Sequence, residues 1–184
     1  MLLRNILMKT TPNMSVKVTV ITLGCDKNRI DAEIMAKRLL DAGYLLGDDP
    51  YTSQAVVINT CGFIGDAKRE ALDRIFEMAA IRDRTDSELK KIVVTGCLAE
   101  RYKEQAAELI YEADAVVGLA ANRDIAGVLK RVLKGERPVM FSDPDELDIE
   151  GQRVISTPGH YAYLKIAEGC SNCCSYCVIP TIRG

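Results

Sequence analysis

Four short apolar runs rich in β-branched residues, each followed by a stretch with helical spacing, constrain this chain more than any other feature. The runs are "KVTVITL" (17–23), "AVVIN" (55–59), "KIVVTG" (91–96) and "DAVVG" (114–118). Between and after them, apolar residues recur at helical intervals. Ile30, Ile34, Met35 and Leu39 form one stripe, with Asn28 placed as its N-cap and Gly43 just past its end. Ala71, Leu72, Ile75, Phe76 and Ala79 form a second, and Leu98, Tyr102, Ala106 and Leu109 a third. Ile125, Val128, Leu129 and Val132 form a fourth, closed by Gly135. Strands alternating with helices imply right-handed βαβ units and a parallel sheet of at least four strands, covered on both faces. The expected class is therefore α/β: an N-terminal, flavodoxin- or Rossmann-like three-layer domain.

The alternation covers 15–134, after a loose extension over 1–14. A linker follows over 135–158, acidic and punctuated by prolines, with one short strand expected at 153–156. "YAYLKIAEG" (161–169) reads as the first strand of a new unit over 159–184, which the sequence opens and does not finish.

Cysteine usage sets the chemistry. Seven cysteines in 184 residues, with no export signal, point to metal binding or catalysis in the cytoplasm rather than to disulfides. The opening "MLLRNILMKTTPNM" places Arg4 inside a very short apolar run and offers no small-residue cleavage site. No stretch approaches the length of a membrane span, so no membrane partner is expected. A net charge of −2 supplies no electrostatic footprint for nucleic acid. The one histidine, His160, excludes a two-histidine metal site within the chain and argues against a Ser-His-Asp site. The turn after the first run is "GCDKN", not the G-x-G-x-x-G of a dinucleotide site.

Cys25, Cys61 and Cys97 stand at equal intervals, each at the end of a predicted strand. The interval reflects repeating β-α units of about 30–40 residues. What matters is that each unit places its thiol at the carboxyl end, where open parallel sheets bind ligands. In a flavodoxin-like 2-1-3 order these three ends are neighbours. Three thiolates suit a 4Fe–4S cluster with one iron left open. Zinc would want a fourth ligand, and this part of the chain has no histidine to give it. Asn28 and Asn59 flank the thiols, either as donors near a cluster or as ordinary cap and turn residues.

The second group closes the sequence in "EGCSNCCSYCVIPTIRG". Cys170, Cys174 and Cys177 have C-x3-C-x2-C spacing, which resembles the radical S-adenosylmethionine (AdoMet) superfamily. There, three thiolates hold a 4Fe–4S cluster whose open iron chelates AdoMet, and Tyr176 falls where the superfamily commonly has an aromatic. Reading the group as two C-x2-C zinc pairs is disfavoured, because adjacent Cys173 and Cys174 do not easily face one metal. A thioredoxin-like pair belongs at a helix start within a βαβ unit, which this is not.

Both groups together resemble the methylthiotransferases, over about 16–184: "TLGCDKN", "INTCGFI", "VTGCLAE", then "TPGHYAYLKIAEGC" and the cysteine loop. The resemblance implies an auxiliary 4Fe–4S cluster on Cys25, Cys61 and Cys97, and an AdoMet 4Fe–4S cluster on Cys170, Cys174 and Cys177. It implies a domain starting at 159 that grows into a (β/α) partial barrel, and an electron donor such as flavodoxin or ferredoxin. In the family, reductive cleavage of AdoMet gives a radical that abstracts hydrogen from an unactivated C–H, and a methylated sulfur is transferred to that carbon. The family's barrel and C-terminal domain extend beyond these residues, so the chain alone is expected to be inactive. Cys173 departs from the family, which more often has a basic or polar residue there, and is expected to face away from the metal.

The family divides by substrate. One branch acts on the β-carbon of an aspartate in a small-subunit ribosomal protein, the other on an adenosine of tRNA. The tRNA branch typically reads G-C-Q-M-N and N-T-C-S-V-R at the first two cysteines. "GCDKN" and "NTCGFI" resemble the ribosomal-protein branch. In that reading Asn28, Asn59, Phe63 and Ile64 line the substrate mouth, and Phe63 and Ile64 make it apolar where the other branch has an arginine able to meet phosphate. Two readings remain beside it: the tRNA enzyme, and an isolated cluster-binding domain without activity.

Overall fold

The structure, a computed structural model, describes residues 16–143, 147, 151–172 and 174–184. The extension read over 1–14 and Cys173 lie outside the described residues. Six strands form one all-parallel sheet in the order β2-β1-β3-β4-β5-β6. They are β1 (Lys17–Thr22), β2 (Leu45–Gly47), β3 (Ala55–Thr60), β4 (Lys91–Gly96), β5 (Ala115–Val117) and β6 (Val139–Met140). The main helices are α1 (Asp26–Asp41), α2 (Gly65–Arg82), α3 (Cys97–Leu109) and α4 (Ile125–Leu133), and a short α5 (Ile179–Arg183) ends the chain.

The central strands are continuous apolar runs because both faces of the sheet are covered. Every residue of β3 is buried. Alternation sends Val56 and Ile58 into one core with α2 and α3, and Ala55 and Val57 into the other with α1 and α4. Strand pairing then fixes the site. Thr22, Asn59 and Thr95 lie in register across β1, β3 and β4, as do Thr60 and Gly96. Cys61 and Cys97 are the residues that follow these paired strand ends.

Several expectations are corrected. Cys61, not Cys25, is the middle thiol, because β1, β3 and β4 are consecutive in the sheet and β2 lies outside β1. Asn28 is not an N-cap; Cys25 occupies that position and Asn28 is buried within α1. Leu72 and Phe76 face outward, and Met78 and Ile81 take their place in the α2 core. On α3, Leu109 is exposed, because Lys103 has a left-handed backbone (φ 44°) and the kink turns the second half of the helix away from a straight-helix stripe. Residues 139–140, inside the expected linker, form β6. The expected strands at 153–156 and 161–169 are absent: both stretches are irregular and pair with no strand among the described residues. They are held instead by side chains of α1. Val154 N–H donates to the Glu33 carbonyl (3.1 Å), while Ser156 N–H (2.8 Å) and Oγ (2.7 Å) both bind the Glu33 carboxylate.

Candidate functional site: three thiols at one sheet edge

The thiols sit where strands hand over to helices. Cys25 caps α1, Cys97 is the first residue of α3, and Cys61 leaves β3 just ahead of α2. A Cβ placed on Gly24 would stand 2.9 Å from the Cys61 Sγ, so Cys61 is pressed against the residue that precedes Cys25. The Cys97 Sγ donates to Asn28 Oδ1 at 3.6 Å. Exposure is graded: Cys25 is open, Cys61 is 7% exposed and Cys97 is fully buried. Phe63 packs beside Cys97 with Leu119 and Ile182, while Ile64 is 64% exposed at the rim.

Asn28 joins the three turns. Its Nδ2 donates to the Leu23 carbonyl (2.8 Å) and the Thr60 carbonyl (3.0 Å), which ties the exits of β1 and β3. Its Oδ1 accepts from Cys97 and from the Arg183 guanidinium (2.7 Å). Asn59 donates in turn to the Asn28 carbonyl (2.8 Å), and its own Oδ1 is buried without a partner among the described residues. Both asparagines are fully buried.

The helix that follows the second cysteine group reaches this edge through Ile182 and Arg183. Cys177 N–H donates to the Cys174 carbonyl (3.0 Å), and Cys170 N–H to the Gly184 carbonyl (2.9 Å). Cys170, Cys174 and Tyr176 are exposed and Cys177 is half-buried. The helix that follows, α5, seats Ile182 against Cys97. Arg183 becomes 3% exposed inside a group of charges: it pairs with Glu168 and with Asp31 (2.9 Å), and Lys165 pairs with the same two carboxylates (2.8 and 2.5 Å). The sequence reading missed Arg183, Glu168, Lys165 and Asp31. One signal was available, since Asp31 and Glu33 interrupt the apolar stripe of α1, where only a paired carboxylate is tolerated. Arg101, also missed, braces the Cys61 turn by donating to the Gly62 (2.8 Å) and Phe63 (3.3 Å) carbonyls.

Burial pushes the Cys97 thiol up to about 11, although the Arg183 charge draws it down, and the nearby Cys61 and Cys25 raise it further. Arg183 is held above the ordinary guanidinium range: burial opposes its charge, but Asp31, Cys97 and Glu168 outweigh it. Thiolate content and access together predict an order of reactivity. In metal-free protein at pH 8, iodoacetamide is expected to label Cys25, Cys170 and Cys174 first and Cys97 last. Peptide mapping over time reads this order; labelling of Cys97 as fast as Cys25 would contradict the closed site.

Among the described residues no three cysteine, histidine or carboxylate side chains already stand in metal-ligating geometry. The donor set nevertheless fits an iron–sulfur cluster better than a hard cation. Three sulfurs share the edge, and the buried Arg183 Nε–H lacks a hydrogen-bond acceptor among the described residues.

The fold is a doubly wound α/β domain of the flavodoxin-like class with three cysteines just beyond adjacent strand ends. The chain belongs to the family described as uncharacterized protein family UPF0004, which it matches over residues 17–118. It is 45% identical over 168 residues to a Thermoanaerobacter protein named ribosomal protein uS12 methylthiotransferase RimO, covering 91% of this chain and 38% of the relative. Proteins of the same name from Lachnoclostridium phytofermentans (46% over 169 residues; 91% and 38% covered) and Bdellovibrio bacteriovorus (44% over 179 residues; 96% and 39%) are similarly close. The chain thus spans under two-fifths of the length of these relatives.

Proposed function

We propose that this chain forms the N-terminal part of a radical AdoMet methylthiotransferase that modifies the uS12-type ribosomal protein at an aspartate β-carbon. The observation that supports it most is the arrangement of two cysteine groups: Cys25, Cys61 and Cys97 on adjacent strand ends, and Cys170, Cys174 and Cys177 on a loop whose following helix packs beside Cys97 through Ile182 and reaches Asn28 through Arg183. The names of the relatives support the same reaction and substrate. In this reading each group holds one 4Fe–4S cluster, and the bound clusters supply one-electron chemistry and a site for the transferred sulfur. The protein's own residues position and shield. Asn28 and Asn59 lock the thiol-bearing turns together, and Arg101 fixes the Cys61 turn. Phe63 and Leu119 keep water from Cys97, and Ile64 and Tyr176 face outward as apolar contacts for an incoming protein loop or for AdoMet. No helix among the described residues is long and apolar enough to cross a membrane. The same reading takes the enzyme as cytoplasmic, served by a flavodoxin- or ferredoxin-type electron donor.

Mass spectrometry of cells lacking the gene for this chain tests the substrate. Loss of the methylthio mass from the ribosomal protein is expected. Loss from tRNA adenosine alone would overturn the substrate and favour the other branch.

A further inference from the structure

We infer that Arg183, which lies on the helix after the second cysteine group, is a positioning residue for the first group, so that the second loop sets the redox poise of a cluster held by Cys25, Cys61 and Cys97. The inference rests on the assignment of those three cysteines above. Its basis is the arrangement of buried charge. The guanidinium donates to Asn28 Oδ1 at 2.7 Å, the oxygen to which the free Cys97 thiol donates at 3.6 Å, so Arg183 stands one atom away from the sulfur of Cys97. One of its donors, Nε–H, is buried with no acceptor among the described residues, which leaves it available to a sulfur ligand.

The charges around Arg183 are balanced. Asp31 and Glu168 supply two negative charges, Arg183 and Lys165 two positive ones, and all four side chains are at least nine-tenths buried. Lys27 adds a cation at the edge, donating to the Ala167 carbonyl (3.0 Å) and to the Glu168 carbonyl. Inside so dry a group, losing one charge is weakly screened. A cluster gains negative charge when it is reduced, so a nearby cation favours the reduced form and a nearby anion opposes it. Removal of Arg183 and removal of Glu168 should therefore act in opposite directions. A role limited to holding the fold predicts no such opposition.

The test uses the 184-residue chain with Cys170, Cys174 and Cys177 changed to serine, so that only the first group can carry a cluster. After anaerobic reconstitution, the cluster is titrated with dithionite and redox mediators and followed by electron paramagnetic resonance. At a fixed potential Arg183→Gln should lower the ratio of reduced to oxidised cluster roughly three- to tenfold, and Glu168→Gln should raise it by a similar factor. Arg183→Lys should restore most of the loss. If Arg183→Gln does not fold, the Glu168→Gln and Arg183→Lys shifts still decide the matter. A cluster that assembles but titrates alike in all variants, or shifts the same way in both glutamine variants, overturns the role of Arg183 alone. Failure of the parent protein to bind any cluster overturns this inference together with the assignment of the three cysteines.

Discussion

Asn28→Ala is expected to lower the stability of the domain by about 3 kcal/mol, a large effect for one small side chain. Asn28 is fully buried in the first turn of α1 and engages four groups at once. Deleting its amide removes a side-chain donor from the Leu23 and Thr60 carbonyls, and takes an acceptor from Arg183, itself buried. Each buried group so deprived costs about 1–3 kcal/mol, with partial relief from relaxation and water entry. The loss is structural before it is chemical, because β1 and β3 are no longer tied where their cysteines emerge. Asn28→Asp sharpens the test. It keeps the shape but turns the two-hydrogen donor into a carboxylate facing two carbonyls, so it should be destabilised by a comparable amount despite the salt bridge it offers Arg183. Urea unfolding of the metal-free proteins measures both. Midpoints within error of the parent protein would mean that Asn28 is an ordinary helix residue.

The second large effect belongs to Gly96, between β4 and Cys97. Its φ of +98° lies in the region that favours glycine, and a Cβ there would stand 2.4 Å from the Thr60 carbonyl oxygen and 2.5 Å from the Thr60 nitrogen. Both are backbone atoms of the central strand β3, so neither can swing aside. Gly96→Ala is expected to cost roughly 3 kcal/mol or more, the sum of the unfavourable φ and the overpacking. It should also displace Cys97, the next residue. Reconstituted iron should fall in the fraction that remains folded, as well as folded protein overall. Wild-type iron content and an unchanged unfolding midpoint would contradict the close approach of β3 and β4 at the thiols.

The parts of the fold that the sequence made legible are those with a repeating signal. β3 and β4 are six-residue apolar runs, and the parallel ladder followed from the helices between them. β2, at three residues, and β6, at two, are too short to show a period, and the missing β2 is what misplaced Cys25 within the sheet. The three equally placed cysteines were visible because each closes a strand. Their supports were not. Asn28 looked like a cap because its type favours caps, whereas tertiary contact set its role. Arg183 lies 155 positions from Asn28, and no local pattern could pair them. The irregular stretches over 153–156 and 161–169 have β composition. Glu33, Asp31 and the cations they hold, rather than a neighbouring strand, determine where those stretches lie.

Iron counting after anaerobic reconstitution tests the central claim most directly, that two separate groups of three cysteines each hold a cluster. The parent chain should bind about eight irons. Replacing Cys25, Cys61 and Cys97 together with serine should remove about four, and so should Cys174→Ser, whereas Cys173→Ser should leave the count nearly unchanged. An iron content that survives the triple substitution, or that depends on Cys173 rather than Cys174, would contradict the account.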